Sequence, residues 1–217
     1  MSLEYFITDI DNTIADTTQR LRRSLRELGR EEVFAKTSDR FGGFAEYLDP
    51  EELSKFWKLF LSGEFLHLDE PAPESARILQ VMVDEGIKLI YLTGRHDQSG
   101  DTMRPGTERW LENHGFPIPD ETEIKLLMKP KRNMEDREFK LALLKDQLSG
   151  KLPSERAVGV GDHPDDALVY VKAGVKPILL GWPGLFTTEE LRDSASGVAV
   201  MNDWAEVEEK VNKMIFK

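Results

Sequence analysis

Two aspartates stand one residue apart near the start of the chain, where a run of apolar β-formers ends. Residues 5–17 read YFITDIDNTIADT, so Asp9 and Asp11 are followed by Asn12 and Thr13. Two carboxylates this close repel each other, and a buried carboxylate cluster is costly unless something positive occupies it. The pair therefore indicates a bound cation at the end of the first strand.

Further residues that could serve a site follow the other apolar runs of the sequence. They are Thr93, Gly94, Arg95, Lys140, Asp162 and Asp166. Ligands of an open parallel sheet gather at the carboxyl ends of its strands, so we expect these side chains to converge. A few carboxylates with a backbone carbonyl and waters favour Mg²⁺, which is commonly shared with a substrate phosphate. Mg²⁺ and Lys140 would offset the carboxylates and leave room for a phosphoryl anion.

The elements that position these residues are short apolar runs alternating with amphipathic segments. The apolar runs predict strands at 4–9, 88–93, 124–128, 157–162 and 176–181. The amphipathic segments predict helices at about 73–85, 105–114, 136–149 and 164–173. Nearly continuous apolar strands separated by helices are typical of an α/β fold with a doubly wound parallel sheet.

One section interrupts this alternation. Within residues 17–70, the segment 49–63 begins like a helix, with Asp49 as N-cap, Pro50 at the first position and Glu52 at the third. Its apolar stripe consists of Leu53, Phe56, Trp57, Phe60 and Leu61. A second helix is predicted at 17–29, closed by Gly29. We interpret 17–70 as a small helical cap and 1–16 with 71–217 as the catalytic core. The alternative is that these helices pack on the sheet.

Composition limits the classes of function. The chain has 217 residues, a formal net charge of −11, 40% hydrophobic residues and no cysteine. The negative charge argues against broad binding to nucleic acid or anionic membranes. No segment is long and apolar enough to cross a membrane, and the first residues do not resemble a secretory signal. We therefore expect a cytoplasmic location, while the oligomeric state stays open.

Four groups of residues, taken in order, resemble the motifs of the haloacid dehalogenase-like (HAD) phosphohydrolase superfamily. The groups are Asp9-x-Asp11-x-Thr13, then Thr93-Gly94-Arg95, then Lys140, then Gly161-Asp162-x-x-x-Asp166. The predicted cap also falls where the C1-type caps of that superfamily are inserted. The resemblance implies a Rossmann-like core and phosphoryl transfer to an aspartate.

The resemblance also implies a role for each residue. Asp9 would be the nucleophile that forms an aspartyl-phosphate, and Asp11 would be the general acid and then the base that activates water. Because both would serve one site, we expect the backbone to leave strand geometry just after Asp9, where Asn12 and Thr13 suit a turn.

The remaining positions would bind substrate and metal. Thr93, Gly94 and Lys140 would hold the phosphoryl oxygens, and Arg95 would contact the substrate or form a structural ion pair. Mg²⁺ would be bound by Asp9, the backbone carbonyl of Asp11, Asp162 and Asp166. Asp165, which points elsewhere on a helix, is the less suitable acid.

The function predicted from these residues is Mg²⁺-dependent hydrolysis of a small phosphorylated metabolite, such as a nucleotide or a sugar phosphate. Two rivals are a phosphomutase and a polynucleotide 3′-phosphatase, for which Lys129, Lys131 and Arg132 could hold an anionic extension. A signalling receiver would carry its phosphorylated aspartate on the third strand, and that predicted strand ends in Met128-Lys129-Pro130 without one.

Several residues near these motifs allow two interpretations. Trp57 is interpreted as cap core in preference to a base-stacking surface, and Trp182 as packing in preference to the pocket border. His163 is expected to make local hydrogen bonds. Asp16 is expected to cap the first cap helix.

Overall fold

A computed structural model describes residues 3–37, 41–98, 100–120, 122–148, 156–181 and 197–215. The strands, in chain order, are β1 (Tyr5–Thr8), β2 (Ala15–Asp16), β3 (Glu70–Pro71), β4 (Lys88–His96), β5 (Ile124–Lys129), β6 (Ala157–Gly161), β7 (Lys176–Leu180) and β8 (Ala199–Met201). Six of them form one sheet in the order β5-β4-β1-β6-β7-β8, and every neighbouring pair is parallel. The predicted parallel α/β sheet is confirmed.

The helices connect these strands. They are α1 (Thr18–Glu27), α2 (Glu31–Thr37), α3 (Pro50–Phe60), α4 (Ser75–Asp84), α5 (Met103–Asn113), α6 (Asp136–Leu148), α7 (Pro164–Lys172) and α8 (Trp204–Ile215), with 3₁₀ turns at Phe41–Tyr47 and Leu66–Leu68. Among the described helices, none combines the length and hydrophobicity needed to span a bilayer. The last residue of the helix predicted at 136–149 and the residue Trp182 lie outside the described residues.

The hydrophobic core lies on both faces of the sheet. Side chains alternate along a strand, so Phe6 packs with α4, α5 and α8, while the next residue, Ile7, packs with α6 and α7. In β4, Tyr91 and Leu92 divide between the two faces in the same way. Helices on both faces make the sheet doubly wound, as the apolar strand runs indicated.

Residues 17–70, hereafter the helical insertion, have a hydrophobic cluster of their own. Its buried members are Leu21, Leu25, Val33, Phe44, Leu48, Phe56 and Phe60. The insertion begins and ends at a two-stranded antiparallel ribbon, in which Ala15 pairs with Pro71 and Asp16 with Glu70. The predicted boundaries after residue 16 and before residue 71 fall in this ribbon. The division of the chain into core and cap domains stays a prediction.

The start of α3 follows from local side-chain chemistry. The Asp49 carboxylate accepts hydrogen bonds from the backbone N–H groups of Glu51 and Glu52, each at 2.9 Å. The Glu52 carboxylate accepts in turn from the Asp49 N–H at 3.0 Å, so the predicted capping box is present. The helix ends at Phe60, three residues before the predicted end at Gly63.

Candidate active site

The backbone turns immediately after β1. The Asp9 N–H still donates to Val160 of β6 at 3.0 Å, but the N–H groups of Thr13 and of the residue after it both donate to the carbonyl of Ile10. Asn12 has a φ of 57°, in the left-handed region that asparagine tolerates. Its side-chain oxygen accepts from the Thr17 hydroxyl at 2.7 Å. The predicted departure from strand geometry is confirmed, and it places Asp9 and Asp11 at the end of the central strand.

Three carboxylates converge at this end of the sheet. Asp9 follows β1, Asp162 follows β6, and Asp166 is the third residue of α7. One oxygen from each lies within 4.8 Å of the others, and all three residues are buried. Burial raises the pKa of Asp9 to about 7 and the pKa of Asp162 well above its ordinary value, and the neighbouring acids add to both shifts. This cluster could hold a metal ion.

Lys140 supplies the positive charge nearest to the acids. Its Nζ atom lies 2.8 Å from Asp166 Oδ1 and 3.2 Å from Asp9 Oδ2. Burial alone would lower the pKa of Lys140, but the carboxylates of Asp166 and Asp9 raise it well above its ordinary value. With Lys140 charged and all three acids ionised, the cluster carries two excess negative charges, which one divalent cation would offset.

The first turn of α7 orients Asp166. His163 is the N-cap and Pro164 the first helical residue; the His163 side chain accepts from the Asp165 N–H, and the Asp166 carboxylate accepts from the His163 N–H. A Cβ at Gly161 would lie 2.6 Å from the Asp166 side chain, so the close approach of β6 to α7 requires glycine. The side chain of Asp165 is half exposed and faces Arg137 at 3.7 Å, outside the acidic cluster.

Asp11 belongs to a different set of charges. The Arg95 Nη2 atom lies 2.6 Å from Asp11 Oδ1 and 2.9 Å from Asp69 Oδ2. Arg20, on α1 of the helical insertion, also donates to Asp11, and its Nε atom lies 3.0 Å from Asp69 Oδ1. The side chains of Arg20, Arg95 and Asp69 are fully buried, and that of Asp11 is 23% exposed. We call these four residues the buried charge network.

The buried charge network keeps Asp11 ionised. Burial would raise the pKa of Asp11, but the guanidinium groups of Arg20 and Arg95 together outweigh burial and hold it well below its usual range. The Arg95 guanidinium also donates to the Thr107 hydroxyl at 3.2 Å, and none of its side chain reaches solvent. Of the two interpretations of Arg95, the structure shows the ion pair. A role for Arg95 in substrate binding stays a prediction.

The sequence reasoning missed Arg20 and Asp69. Arg20 carried a weak signal, because it lies next to Leu21 and one helical turn before Ser24, on the buried side of α1. Asp69 carried no sequence signal, because it contacts Arg20, Arg95 and Trp110, which all lie far from it along the chain. The indole N–H of Trp110 donates to the Asp69 carbonyl at 2.9 Å. Thr13, already part of the first motif, donates to Asp162 Oδ1 at 3.1 Å.

Thr93 and Gly94 lie where β4 becomes irregular. The pairing of β4 with β5 shifts between Thr93 and His96, and the Arg95 N–H donates to the Thr93 hydroxyl at 3.2 Å. A Cβ on Gly94 would collide with the Asp136 carboxylate, which is ion-paired with Lys129. Thr93 and Gly94 line the same cavity as Asp9.

A cavity of about 470 Å³ connects these groups with the helical insertion. Its lining residues on the core side are Asp9, Asp11, Asn12, Thr93, Gly94, Lys129, Arg132, Asp136 and Lys140, and those on the insertion side are Trp57, Phe60 and Leu61. A second cavity of about 350 Å³ surrounds the acidic cluster and is also bordered by Trp57. The volumes suit a small organic phosphate.

Comparisons with known proteins point to one fold. No family model matches the sequence. A Bacillus cereus protein named "Putative nucleotidase" is 27% identical over 119 residues, which is 52% of this chain and 60% of that protein. This chain therefore matches less than two thirds of its curated relative.

Solved structures match over nearly the whole chain. A haloacid dehalogenase-like family hydrolase from Streptococcus pneumoniae has a TM-score of 0.70 at 18% identity, covering 96% of this chain and 98% of that one. A Clostridium acetobutylicum protein described as a "predicted phosphatase" has a TM-score of 0.69 at 16% identity, covering 98% of this chain and 100% of that one. CbbY from Rhodobacter sphaeroides, in complex with phosphate, has a TM-score of 0.60 at 19% identity, covering 94% of this chain and 96% of that one. The chain thus has the fold of the haloacid dehalogenase-like hydrolases.

Proposed function

We propose that this protein is a phosphatase that hydrolyses small phosphomonoesters through an aspartyl-phosphate on Asp9, with Mg²⁺ as its metal. The observation that carries the proposal is the position of Asp9, which belongs to the acidic cluster, contacts Lys140 and borders the 470 Å³ cavity. The phosphatase name of one structural neighbour and the phosphate bound to another support it.

The acidic cluster fits a divalent cation. Asp9 Oδ1 is buried and has no hydrogen-bond partner among the described residues, which is costly for a carboxylate oxygen unless a cation contacts it. Oxygen donors of this kind suit Mg²⁺, which Asp9, Asp162 and Asp166 would hold together with the backbone carbonyl of Asp11. When bound, the ion would neutralise charge on Asp9 and on the phosphoryl oxygens, so that the two anions can approach.

The first chemical step transfers the phosphoryl group to Asp9. The Thr93 hydroxyl, the Gly94 N–H and the Lys140 ammonium hold the phosphoryl oxygens. An Asp9 carboxylate oxygen attacks phosphorus, the ester P–O bond breaks, and the leaving oxygen accepts a proton from Asp11. Because Arg20 and Arg95 hold Asp11 ionised, its side chain must leave them and bind a proton before it acts as an acid.

The second step returns the enzyme to its starting state. Asp11, now a carboxylate, accepts a proton from water as the water oxygen attacks phosphorus. The bond between phosphorus and Asp9 breaks, and inorganic phosphate leaves. A phosphomutase would pass the phosphoryl group to a second substrate hydroxyl instead of water.

The proposal is tested by phosphate release from p-nitrophenyl phosphate with Mg²⁺. We expect turnover in the native chain, loss to background in Asp9→Asn, and native activity in Glu85→Gln, an exposed acid outside the site. Mass spectrometry of the acid-quenched native protein should find one phosphoryl group on Asp9. Full activity in Asp9→Asn would contradict the nucleophile assignment. Phosphorylation of Asp9 with little phosphate release would favour a mutase.

A further inference from the structure

We infer that the phosphate ester carries a flat aromatic ring, as a nucleoside monophosphate does, and that Trp57 stacks on this ring. The inference rests on the proposed phosphatase function and names the class of its substrate. It concerns the wall of the 470 Å³ cavity that faces away from the acidic cluster.

The aromatic residues of α3 differ in exposure. Phe56 is fully buried and Phe60 is 4% exposed, and both belong to the hydrophobic cluster of the helical insertion. Trp57 is 37% exposed and borders both cavities beside Asp9. The exposed part of Trp57 is therefore available to a ligand that enters the cavity from the side of Asp9. Phe56 and Phe60 therefore belong to the core of the insertion, whereas Trp57 packs at its edge and is partly open to the cavities.

The indole of Trp57 is held in a fixed orientation. Its ring is nearly perpendicular to the rings of Phe56, at 5.1 Å between centroids, and Phe60, at 5.8 Å. It stands on a helix whose start is fixed by the capping box of Asp49 and Glu52. A rigid aromatic surface loses little conformational entropy when a ligand stacks on it.

The chemistry of the wall discriminates between classes of ester. Trp57, Phe60 and Leu61 offer a single side-chain hydrogen-bond donor, the indole N–H. The hydroxyl groups of a sugar phosphate would lose water against this wall and find few replacements, which is costly. A nucleobase would instead bury its ring faces against this wall.

The surroundings favour a mononucleotide over an oligonucleotide. The net charge of −11 disfavours a long polyanion. The cations near the cavity are already engaged within the protein: Lys129 pairs with Asp136, and Arg132 contacts Asp101 at 3.3 Å and His96 at 3.1 Å. These contacts leave little positive surface for a chain of phosphates.

The test compares two esters, uridine 5′-monophosphate and glycerol 2-phosphate, in four proteins. We expect Trp57→Ala to raise KM for the nucleotide by about fivefold or more, the smallest factor expected for stacking of a base on an aromatic side chain. Trp57→Phe should recover most of the loss, and KM for glycerol 2-phosphate should stay unchanged. The control is Tyr47→Ala, which removes an exposed aromatic of the insertion that does not line the cavity.

A binding measurement separates this inference from the proposed function. Calorimetry of uridine 5′-monophosphate with Asp9→Asn should show binding that is weakened about fivefold or more when Trp57→Ala is added. Turnover of both esters with no effect of Trp57→Ala would overturn the inference and leave the phosphatase standing. Trp57-dependent binding without turnover in the native chain would support the inference and contradict the phosphatase function. Preferred hydrolysis of a 3′-phosphorylated oligonucleotide would also overturn the inference.

Discussion

Four buried or half-buried charges at the base of the helical insertion balance one another. Arg20 and Arg95 each contact both Asp11 and Asp69, so every guanidinium group faces two carboxylates. Removing one member of such a set leaves an uncompensated charge in the interior, which costs more than the intact set contributes. The stability of the protein should therefore depend on single residues of the network far more than on its surface ion pairs.

We expect Arg20→Met to lower the free energy of unfolding by about 3–5 kcal/mol, because it strands a buried carboxylate. Arg23→Met is the matched control on the same helix, since Arg23 is exposed and pairs with Glu27 at 2.6 Å, and it should cost at most about 1 kcal/mol. Urea unfolding measures both. Equal effects of the two substitutions would show that the buried charge network contributes no more to the free energy of unfolding than an exposed ion pair does.

His96 should make stability depend on pH. Burial lowers its pKa and Arg132 adds to the shift, while Asp101, 3.7 Å away, opposes it. Because the folded protein resists protonation of His96, the unfolded chain binds more protons below the ordinary pKa of 6.5. The stabilisation from neutral His96 is present above pH 6.5 and is lost as the pH falls through the folded pKa.

The measurement is the free energy of urea unfolding at intervals from about pH 7 to about pH 5, in the window that this shift defines. Asp9, Asp69 and Asp162 have raised pKa values, so they bind protons on acidification and stabilise both chains. We therefore expect the free energy of unfolding of the native chain to fall more, or to rise less, than that of His96→Gln, which cannot titrate at this position. Parallel profiles would rule out His96 as a source of the dependence.

At the scale of elements, α3 connects sequence to site most directly. Its capping box involves two residues three positions apart, Asp49 and Glu52, so the sequence alone was enough to predict where the helix begins. The same was true of the first turn of α7, with Pro164 inside it. The three-residue β8 was missed because Ala199–Met201 is half-buried and too short to form a recognisable apolar run. Helix α8 was also missed, although its buried residues Trp204, Val207 and Val211 follow helical spacing.

We expect Asp49→Ala to destabilise the protein by about 1 kcal/mol, since two backbone N–H groups at the start of α3 lose their acceptor. Glu112→Ala, an exposed acid in the last turn of α5, should change stability by less than about 0.5 kcal/mol. Thermal unfolding of both variants gives the comparison. If the two melt together, the capping box contributes nothing measurable.

At the scale of the whole molecule, the sequence predicted the parts of the site that lie at strand ends. Asp9, Lys140, Asp162 and Asp166 come together because parallel strands place their carboxyl ends at one edge. The buried charge network could not be found in this way. Asp69 lies in the second connection between insertion and core, and only the folded insertion brings Arg20 to it.

The metal proposal predicts opposite effects of one substitution with and without Mg²⁺. Asp162→Asn removes a charge from a repelling cluster and keeps an oxygen that accepts from Thr13. In EDTA we expect its melting temperature to rise by about 2–4 °C, the shift that about 1 kcal/mol causes in a chain of this size. Mg²⁺ should then stabilise the native protein by binding to its folded state and should leave Asp162→Asn unchanged.

Glu85→Gln is the control, because it removes a charge of the same sign from an exposed position. It should melt like the native chain in EDTA and gain the same stability from Mg²⁺. A lower melting temperature of Asp162→Asn in EDTA would argue that the three acids are not in repulsion. An equal gain from Mg²⁺ in that variant would place the metal elsewhere.

The ribbon of β2 and β3 has a consequence for how such a protein can change over evolutionary time. Asp16 and Glu70 are paired neighbours, so the chain leaves the core and returns to it at one point. A short hairpin turn could join these two residues without moving a strand of the large sheet. Genetic exchange at this point can therefore replace one insertion with another of different length, while the end of the sheet that carries the acidic cluster is inherited intact.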